Sequence, residues 1–414
     1  MALRALLSRL ERPASPIPGL RDILKDIGPE YIANGFIGWV FAATAPVAII
    51  LSVGTRGGLS ETELASWIFG IFFLNGIITI LFSWIYRQPL AFFWTIPGTV
   101  LVGPALDHLS FAQVIGAYHV TGALMLFLGM TGYVKKVMNA IPMPIVMGMV
   151  AGVFLRFGLD LVRAVHEDFL IAGPMVIVWL ILSAFPAIGR RIPPLIGALV
   201  VGAVATALLD RFDVATLGSL ELAKPLFITP EWSLAAMVEL VVPLAITVLV
   251  VQNGQGFSVL KAVGHKPPED AVTVACGVGA IASAVVGAVS TCLTGPTNAI
   301  ITSSGEKHRH YTAAISTGVL AVVFGLLAPA FTRLMLNAPS SFIMTLAGLA
   351  MLRILQASFV VCFKGKFTLG ALVTFLVTVA DLSILNIGAA FWGLVAGFMV
   401  SWILERADFK AEKA

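Results

Sequence analysis

Long apolar stretches, separated by short polar segments, follow one another from residue 32 to residue 403. A transmembrane helix needs about 20 apolar residues to cross a bilayer, and most of these stretches approach that length. We therefore expect fourteen transmembrane segments, at residues 32–51, 64–85, 89–106, 112–133, 137–158, 174–188, 193–210, 235–256, 270–287, 288–304, 312–331, 340–357, 368–384 and 386–403. The pattern predicts an all-α polytopic membrane protein.

Composition and charge placement extend this prediction. Hydrophobic residues make up 58% of the chain, charged residues make up 12%, and the mean hydropathy is +0.97, whereas soluble proteins carry about 25% charged residues. Most lysines and arginines fall in alternate loops, which predicts that both termini are cytoplasmic. The basic, amphipathic N-terminus (1–27) is expected on the cytoplasmic membrane surface. Residues 211–231 form the longest external loop, and residues 405–414 form a cytoplasmic tail.

An internal repeat becomes visible when the sequence is shifted by 197 residues. PMPIVMGMVAGVFLR (142–156) then lies over PSSFIMTLAGLAMLR (339–353), and Gly98 falls on Gly295. Each half holds seven predicted segments, so the second half enters the membrane from the opposite side. Such a seven-plus-seven inverted repeat is a common plan of secondary transporters.

Two polar interruptions occupy matching places, in the third segment of each half: FWTIPGT (93–99) and STCLTGP (290–296). Proline and glycine disfavour a continuous helix. Non-helical backbone persists at membrane depth only where it is buried or lines a wet cavity. A half-helix that starts there presents free amide hydrogens and the positive end of its dipole. Matched interruptions therefore predict a binding site for an anion or an electron-rich ring, with a packing kink as the alternative.

A further polar stretch, QNGQG (252–256), lies in the cytoplasmic half of the eighth segment. Its side-chain amides can donate to a carboxylate and accept from a ring N–H without placing a charge in the membrane. We interpret it as part of the same site, and a C-terminal helix cap is the alternative.

These stretches carry a family resemblance. QNGQGFSVLKAVGH (252–265) resembles the QN-x-PG-x-AVL-x-x-x-GY signature of the benzoate–proton symporter family. WTIPGT (94–99) resembles the W-S/T-x-PG segment of that family, and TNAIIT (297–302) resembles its N-x-x-x-IT stretch. The resemblance extends from about residue 30 to residue 404, with Gln255 in place of the signature proline. The family is related to the nucleobase and sulfate transporters.

The resemblance implies a core domain (28–133 and 232–333) and a gate domain (134–210 and 334–404). It also implies short strands before the half-helices of segments 3 and 10, with the substrate bound between these and segment 8. Together with the polar stretches, it leads us to expect substrate contacts from Phe41, Trp94, Thr95, Ile96, Gly98, Thr99, Gln252, Asn253, Thr294, Gly295, Thr297 and Asn298.

The expected function is secondary active import of a small aromatic carboxylate such as benzoate across the bacterial inner membrane. The import is expected to be coupled to protons, with core and gate domains alternating access. Nucleobase relatives carry glutamates where this chain has Gln252 and the 294–298 stretch. Their absence favours an anion, which a carboxylate would repel. Transport of a nucleobase or another small anion, and a passive anion channel, are the alternatives.

The expected partners are a small organic anion, a proton as coupling ion, the lipid bilayer and a second copy in a homodimer. Nucleic acid, cofactors and metal ions are not expected, and neither is an enzymatic activity, because the sequence lacks HExxH, GxSxG and Walker motifs. Glu239 and Asp381 map near external segment ends and are expected to be solvated, as are His308 and His310 in a cytoplasmic loop. The coupled proton has no obvious carrier.

Overall fold

A computed structural model describes residues 10–134, 136, 141–189, 192–211, 221–303, 305–382, 384 and 387–412. The helices are α1 (Leu20–Asp26), α2 (Pro29–Ala43), α3 (Ala45–Arg56), α4 (Glu61–Tyr86), α5 (Ile96–Leu106), α6 (Phe111–Thr131), α7 (Met143–Glu167), α8 (Phe169–Ala184), α9 (Pro186–Gly189), α10 (Pro194–Leu208), α11 (Leu234–Ala262), α12 (Glu269–Val285), α13 (Gly295–Ile301), α14 (His310–Leu326), α15 (Ala328–Leu336), α16 (Ser340–Phe363), α17 (Thr368–Ala380), α18 (Ala389–Leu404) and α19 (Arg406–Glu412). The strands are β1 (Phe92–Trp94) and β2 (Thr291–Leu293), and a 3₁₀ turn spans Lys307–Arg309.

Each of the fourteen predicted segments contains a helix, and the third and tenth also contain a strand, as the resemblance implied. In the described part of the chain, six helices are long and apolar enough to cross a membrane, and the bent pair formed by α14 and α15 makes a seventh. Five of the remaining segments hold shorter apolar helices, of 10–17 residues. The all-helical architecture is therefore confirmed, whereas the number of crossings stays a prediction.

Several long segments depart from regular α-helix. The first is broken at Thr44, before Pro46, and α4 contains a π-helical turn at Gly70–Leu74. Two further π-helical turns, Met237–Val241 and Thr247–Asn253, interrupt α11. Inserted π-turns occur frequently at functional sites, and the second of these contains the predicted contacts Gln252 and Asn253.

The two strands pair with each other in antiparallel register, with Phe92 opposite Leu293 and Trp94 opposite Thr291. Helix α5 follows β1 after Thr95, and α13 follows β2 after Thr294. Structural equivalence therefore shifts the sequence by 199 residues here, not by 197. The predicted match of Gly98 with Gly295 is wrong at this point: Gly295 corresponds to Ile96, because a two-residue difference lies between the repeats before the strands.

The helices pack as two groups. The first contains α2 to α6 and α11 to α15, and the second contains α7, α8, α10 and α16 to α18. Close packing inside the first group depends on glycine, since a Cβ on Gly277 of α12 would lie 2.5 Å from the backbone nitrogen of Leu126 in α6. The groups meet where α3 contacts α16, where α5 contacts α7 and where α11 contacts α18.

The described part of the N-terminus lies against the protein. Trp84 Nε1 donates to the carbonyl of Pro18 (2.7 Å), and the Glu11 carboxylate accepts from the backbone amides of Asp270 and Ala271, at the start of α12. These hydrogen bonds hold the segment 10–19 against the protein, and its position on the membrane surface stays a prediction. Residues 1–9 lie outside the described chain.

The long loop predicted at 211–231 is described only at residue 211 and from residue 221 onwards. Its described part runs along the C-terminal ends of α14 and α12, which are predicted to be external. Ala223 N donates to Leu326 O (2.8 Å), and Ile228 N donates to Val285 O (3.1 Å).

Candidate functional site

The β1–β2 ladder, which lies in the third and tenth predicted segments, is held in place by polar side chains of α4. Thr79 Oγ1 accepts from Phe92 N (2.8 Å) and donates to Phe92 O (3.1 Å), and Ser83 Oγ makes the same two bonds to Leu90. An unpaired backbone group in lipid costs several kcal/mol. These hydroxyls therefore allow a non-helical backbone to exist in this segment.

Two predicted contacts, Asn253 and Asn298, complete the ladder. Asn253 Oδ1 accepts from Leu293 N (2.8 Å), and its amide also contacts Cys276 Sγ. Asn298 Oδ1 accepts from Ala91 N (3.2 Å) while its Nδ2 donates to Ala91 O (3.1 Å). Both side chains are fully buried. They position the strands, and their amides are already occupied by protein groups.

Helix α5 begins with a complete N-cap. Thr95 Oγ1 accepts from Gly98 N (3.1 Å) and donates to Thr247 Oγ1 (3.0 Å), which in turn donates to Leu244 O (2.8 Å). Thr99 Oγ1 donates to Thr95 O (3.0 Å). All of these hydroxyls are buried, so the predicted contacts on α5 hold the helix start in place.

Helix α13 begins differently. Thr294 occupies the N-cap position but makes no capping bond, and its buried Oγ1 has no hydrogen-bond partner within the described residues. The side chain of Gln255, which is exposed, lies directly over Gly295, where a Cβ would be 2.6 Å from Gln255 Oε1. This helix start thus has an unused hydroxyl beside an adaptable amide.

Gln252 is 6% exposed, and no side-chain hydrogen bond joins it to the described part of the chain. Its neighbour Asn253 binds β2 directly, which holds this turn of α11 against the strand that leads into α13. On the opposite side, α2 packs on α13: a Cβ on Gly38 would lie 3.3 Å from Thr297 Cγ2. Gln252, Thr294 and Thr297 are therefore carried by elements that meet around α13.

The predicted apolar contacts also differ in how deeply they are buried. Trp94 is 2% exposed, and its ring packs edge-on against Phe72 (centroids 5.2 Å apart), so it belongs to the core of the first group. Phe41 and Ile96 are only partly buried. These two side chains, unlike Trp94, have surface available to a bound ring.

The two helix starts lie at opposite ends of the ladder. Thr95 N donates to Ser290 O (3.1 Å), whereas Thr294 N donates to Ala91 O (3.2 Å). The four residue steps from Ala91 to Thr95 correspond to about 13 Å of strand. The predicted stretches are therefore joined by one short sheet, but their first turns are not in direct contact.

Sequence reasoning missed several polar positions. Asn75, Thr79 and Ser83 recur every four residues along α4, a stripe of small polar residues in an apolar helix that was visible in the sequence. Asn75 Oδ1 accepts from Thr291 Oγ1 (2.7 Å), so the stripe follows both strands. Thr247, which supports Thr95, carried no comparable signal.

Two expectations about ionisable residues are wrong. Glu239 is not solvated: it is 5% exposed, and its Oε2 lies 2.9 Å from His108 Nε2. His310 is also buried, with its Nδ1 3.2 Å from Nε2 of His265. In each case a polar residue near the end of a helix is covered by a neighbouring loop. Asp381, by contrast, is exposed and pairs with Arg156 at 3.4 Å.

A cleft of about 640 Å³ separates the two groups at the end of the molecule predicted to be external. From the first group, α3 and α5 line it with residues such as Ser52 and Val100; α7, α16 and α17 line it from the second. Arg56 and Arg156 in its wall are each paired with an aspartate. The cleft marks the boundary along which the groups could move relative to each other.

Comparison with known families identifies the chain. The family model described as "Benzoate membrane transport protein" (BenE) matches residues 25–403. The chain belongs to this family. It is therefore a multi-pass membrane transporter and not an enzyme.

Relatives and solved structures agree with this assignment. The chain is 31% identical over 379 residues to inner membrane protein YdcO of Escherichia coli (strain K12), covering 90% of this chain and 95% of that protein. It is 28% identical over 393 residues to the benzoate membrane transport protein of Acinetobacter baylyi (strain ATCC 33305 / BD413 / ADP1), covering 93% and 98%.

Among solved structures, the fold is similar to the transmembrane domain of the cyanobacterial bicarbonate transporter BicA, with a TM-score of 0.57, 15% identity and coverage of 90% and 98%. It is also similar to the murine anion transporter Slc26a9 in the inward-facing state, with a TM-score of 0.60, 11% identity and coverage of 97% and 74%. These likenesses confirm the fold class predicted from the repeat.

Proposed function

We propose that this transporter imports a small aromatic carboxylate such as benzoate across the bacterial inner membrane, together with protons. The observation that carries the proposal is the set of unused polar groups around the start of α13. Among the described residues, the buried Thr294 Oγ1 has no hydrogen-bond partner, and the nearly buried Gln252 makes no side-chain hydrogen bond. A ligand that accepts hydrogen bonds would satisfy both.

The site suits an anion with an apolar body. None of the predicted contact residues is a carboxylate, so a bound anion meets no like charge, and both hydroxyl and amide can donate to it. The partly buried Phe41 and Ile96 would contact the ring. Hydrogen bonds to charged groups contribute about 1.5–3 kcal/mol each, enough to orient a small carboxylate.

In this proposal, the first and second helix groups are the core and gate domains. The core carries the site, the cleft beside α3 and α7 gives access from one side, and relative movement of the groups gives access from the other. Both termini would be cytoplasmic, and two copies would form a homodimer. The names of the relatives, one a benzoate membrane transport protein and one an inner membrane protein, support the substrate class and the location.

Uptake into proteoliposomes tests the proposal. We expect labelled benzoate to accumulate when the outside is acidic, and unlabelled internal benzoate to accelerate its entry by counterflow. Protein-free vesicles measured in parallel correct for passive entry of the neutral acid. Uptake that ignores the pH gradient would exclude proton coupling, and unitary currents without counterflow would identify a channel.

A variant pair tests the site. Gln252→Ala should weaken benzoate binding about tenfold, since one charge-assisted hydrogen bond is lost. Gln356→Ala removes an exposed amide from α16 in the second group and should leave binding unchanged. Equal affinities for both variants would remove Gln252 from the site.

A further inference from the structure

Glu239, His108 and Gly388 form a contact between the two helix groups that the substrate site does not use. Glu239 lies in the first π-helical turn of α11, and His108 follows the end of half-helix α5. Gly388 is the N-cap of α18 in the second group. The Glu239 carboxylate binds His108 Nε2 at 2.9 Å, and its Oε1 lies against Gly388, 2.4 Å from the place that a Cβ on this glycine would occupy.

The geometry points to a proton-binding site: we propose that external protons bind to Glu239 through His108 and thereby control the contact between the core and α18. This inference rests on the proposed transport function and adds a carrier for the proton. Glu239 lies near the N-terminal end of α11, about 20 Å along the helix from Gln252. The substrate site and the proton site therefore share one helix.

The ionised carboxylate holds the contact closed. A carboxylate at the N-terminus of a 16-residue helix such as α18 interacts favourably with the free amides and the helix dipole. A carboxylate only accepts hydrogen bonds, so Nε2 of His108 must carry the hydrogen that joins them. Both partners therefore stabilise the charged form of Glu239, and the second group stays attached to it.

Protonation weakens this contact. The His108 side chain is 20% exposed, whereas that of Glu239 is 5% exposed, so water reaches the carboxylate by way of the imidazole. His108 accepts a proton at Nδ1 and passes the Nε2 proton to the carboxylate, which leaves a neutral imidazole and a neutral carboxylic acid. The neutral acid loses its attraction to the dipole of α18, and the groups can separate.

Other charged groups near this contact have their own partners. From the end of α5, Asp107 pairs with Arg56 at 2.7 Å; ahead of α11, Glu231 accepts from Ser110 Oγ at 3.1 Å. From α6, Nδ1 of His119 lies 2.9 Å from Ile115 O. The helix Ala389–Leu404 contains no charged residue. His108 is thus the group best placed to exchange a proton with Glu239.

Cysteine accessibility tests the contact without any substrate. Ala389, next to Gly388, is 5% exposed, and the three native cysteines are buried. In an Ala389→Cys variant, we expect labelling by a water-soluble maleimide to rise about tenfold between pH 8 and pH 5.5, as the closed population decreases. Rates are divided by those of Thr62→Cys, an exposed position, to correct for thiol ionisation.

Adding Glu239→Gln, which resembles the protonated acid, should make the labelling fast at both pH values. Adding Glu231→Gln, a matched exposed carboxylate, should preserve the pH response. Labelling that keeps its pH dependence in the Glu239→Gln background overturns the inference, as does labelling that is independent of pH in the parent.

Transport gives the second readout. At equal pH on both sides, benzoate exchange should accelerate with acid in the parent but be independent of pH in Glu239→Gln. A parent without any benzoate exchange would contradict the proposed function while leaving the labelling result to decide the proton site. A folded Glu239→Gln variant that has lost all exchange would overturn the inference.

If Glu239→Gln does not fold, His108→Ala decides the question. Removal of the donor should make the carboxylate easier to protonate and move the midpoint of the labelling curve to higher pH. An unchanged midpoint overturns the proposed path through His108.

Discussion

The half-helices α5 and α13 start from the same two-stranded ladder but are completed in different ways. At α5, the hydroxyl of Thr95 caps the first turn and is fixed by Thr247. At α13, the hydroxyl of Thr294 caps nothing, and Asn298 instead ties the helix to Ala91. Asn298 is the structural counterpart of Thr99, since both lie four residues after the N-cap.

This difference shows that the inverted repeat duplicates the architecture without duplicating the chemistry. One half uses its polar groups to stabilise the broken segment, and the other leaves some of them unused. We therefore place the carboxylate of the substrate at α13, and we assign a supporting role to α5. The substitutions below compare the α5 half with the α13 half.

The largest difference is expected between Asn298→Ala and Thr99→Ala. Loss of Asn298 leaves both the N–H of Ala91 and one acceptor bond of its carbonyl unsatisfied, which should lower the free energy of unfolding by about 3 kcal/mol. Loss of the Thr99 hydroxyl removes one bond to a carbonyl that Thr99 N still occupies, and should cost about 1 kcal/mol or less. Thermal unfolding in detergent measures both, and equal shifts would contradict the asymmetry.

The next comparison is between Gly98→Ala and Gly295→Ala. A methyl group on Gly98 would overlap Thr95 Cγ2 and lie 3.1 Å from Thr247 Oγ1, so it should destabilise the protein by about 1–3 kcal/mol. A methyl group on Gly295 meets only the exposed Gln255 side chain among its nearest atoms, and that chain can move away. Gly295→Ala should therefore fold normally and change benzoate affinity. A larger loss of stability for Gly295→Ala would disprove this assignment.

Thr95→Val and Thr294→Val test the caps directly. Thr95→Val removes a helix N-cap and should cost about 1–2 kcal/mol of stability. Thr294→Val removes a hydroxyl that has no partner among the described residues, so the free energy of unfolding should change by less than about 0.5 kcal/mol. Its benzoate Kd should instead rise about tenfold. Calorimetric binding together with unfolding separates the two effects, and unchanged affinity in Thr294→Val would contradict the proposed site.

The sequence predicted the architecture better than the roles of individual residues. Hydrophobic patterning and the repeat located fourteen segments that each contain a helix, because lipid demands long apolar stretches. The motifs located the broken segments and the QNGQG turn. They could not separate Asn253, which binds Leu293, from Gln252, which makes no side-chain hydrogen bond to the described part of the chain. Adjacent residues on one turn differ only in what tertiary packing brings to them.

The burial of individual charged residues could not be predicted from the sequence either. Glu239 looked solvated because it lies near the end of an apolar segment, a position that usually faces water. Its burial depends on His108 and on the N-terminus of α18, which are distant in sequence. Hydrophobic periodicity contains no information about such a contact.

The smallest expected effect concerns the histidines beyond the two half-helices. After α5, His108 contacts the carboxylate of Glu239, whereas after α13, His310 contacts the imidazole of His265. Burial, followed by the nearby charges of His310 and Lys307, lowers the pKa of His265 to about 4. An unfolded histidine has a pKa of about 6.5. Between about pH 6.5 and pH 4, this histidine is protonated in the unfolded chain but neutral in the folded chain. Acid should therefore destabilise the folded protein across this window.

We expect a loss of about 1 kcal/mol between pH 7 and pH 5.5 from this residue alone. His265→Asn should reduce the dependence of the melting temperature on pH over that range, because the variant has no group to titrate there. His308→Asn is the matched control, since His308 is exposed and lies two residues before His310 in the sequence. If all three proteins lose stability in parallel, the buried histidine pair does not contribute, and the acid sensitivity of the α13 half must come from other groups.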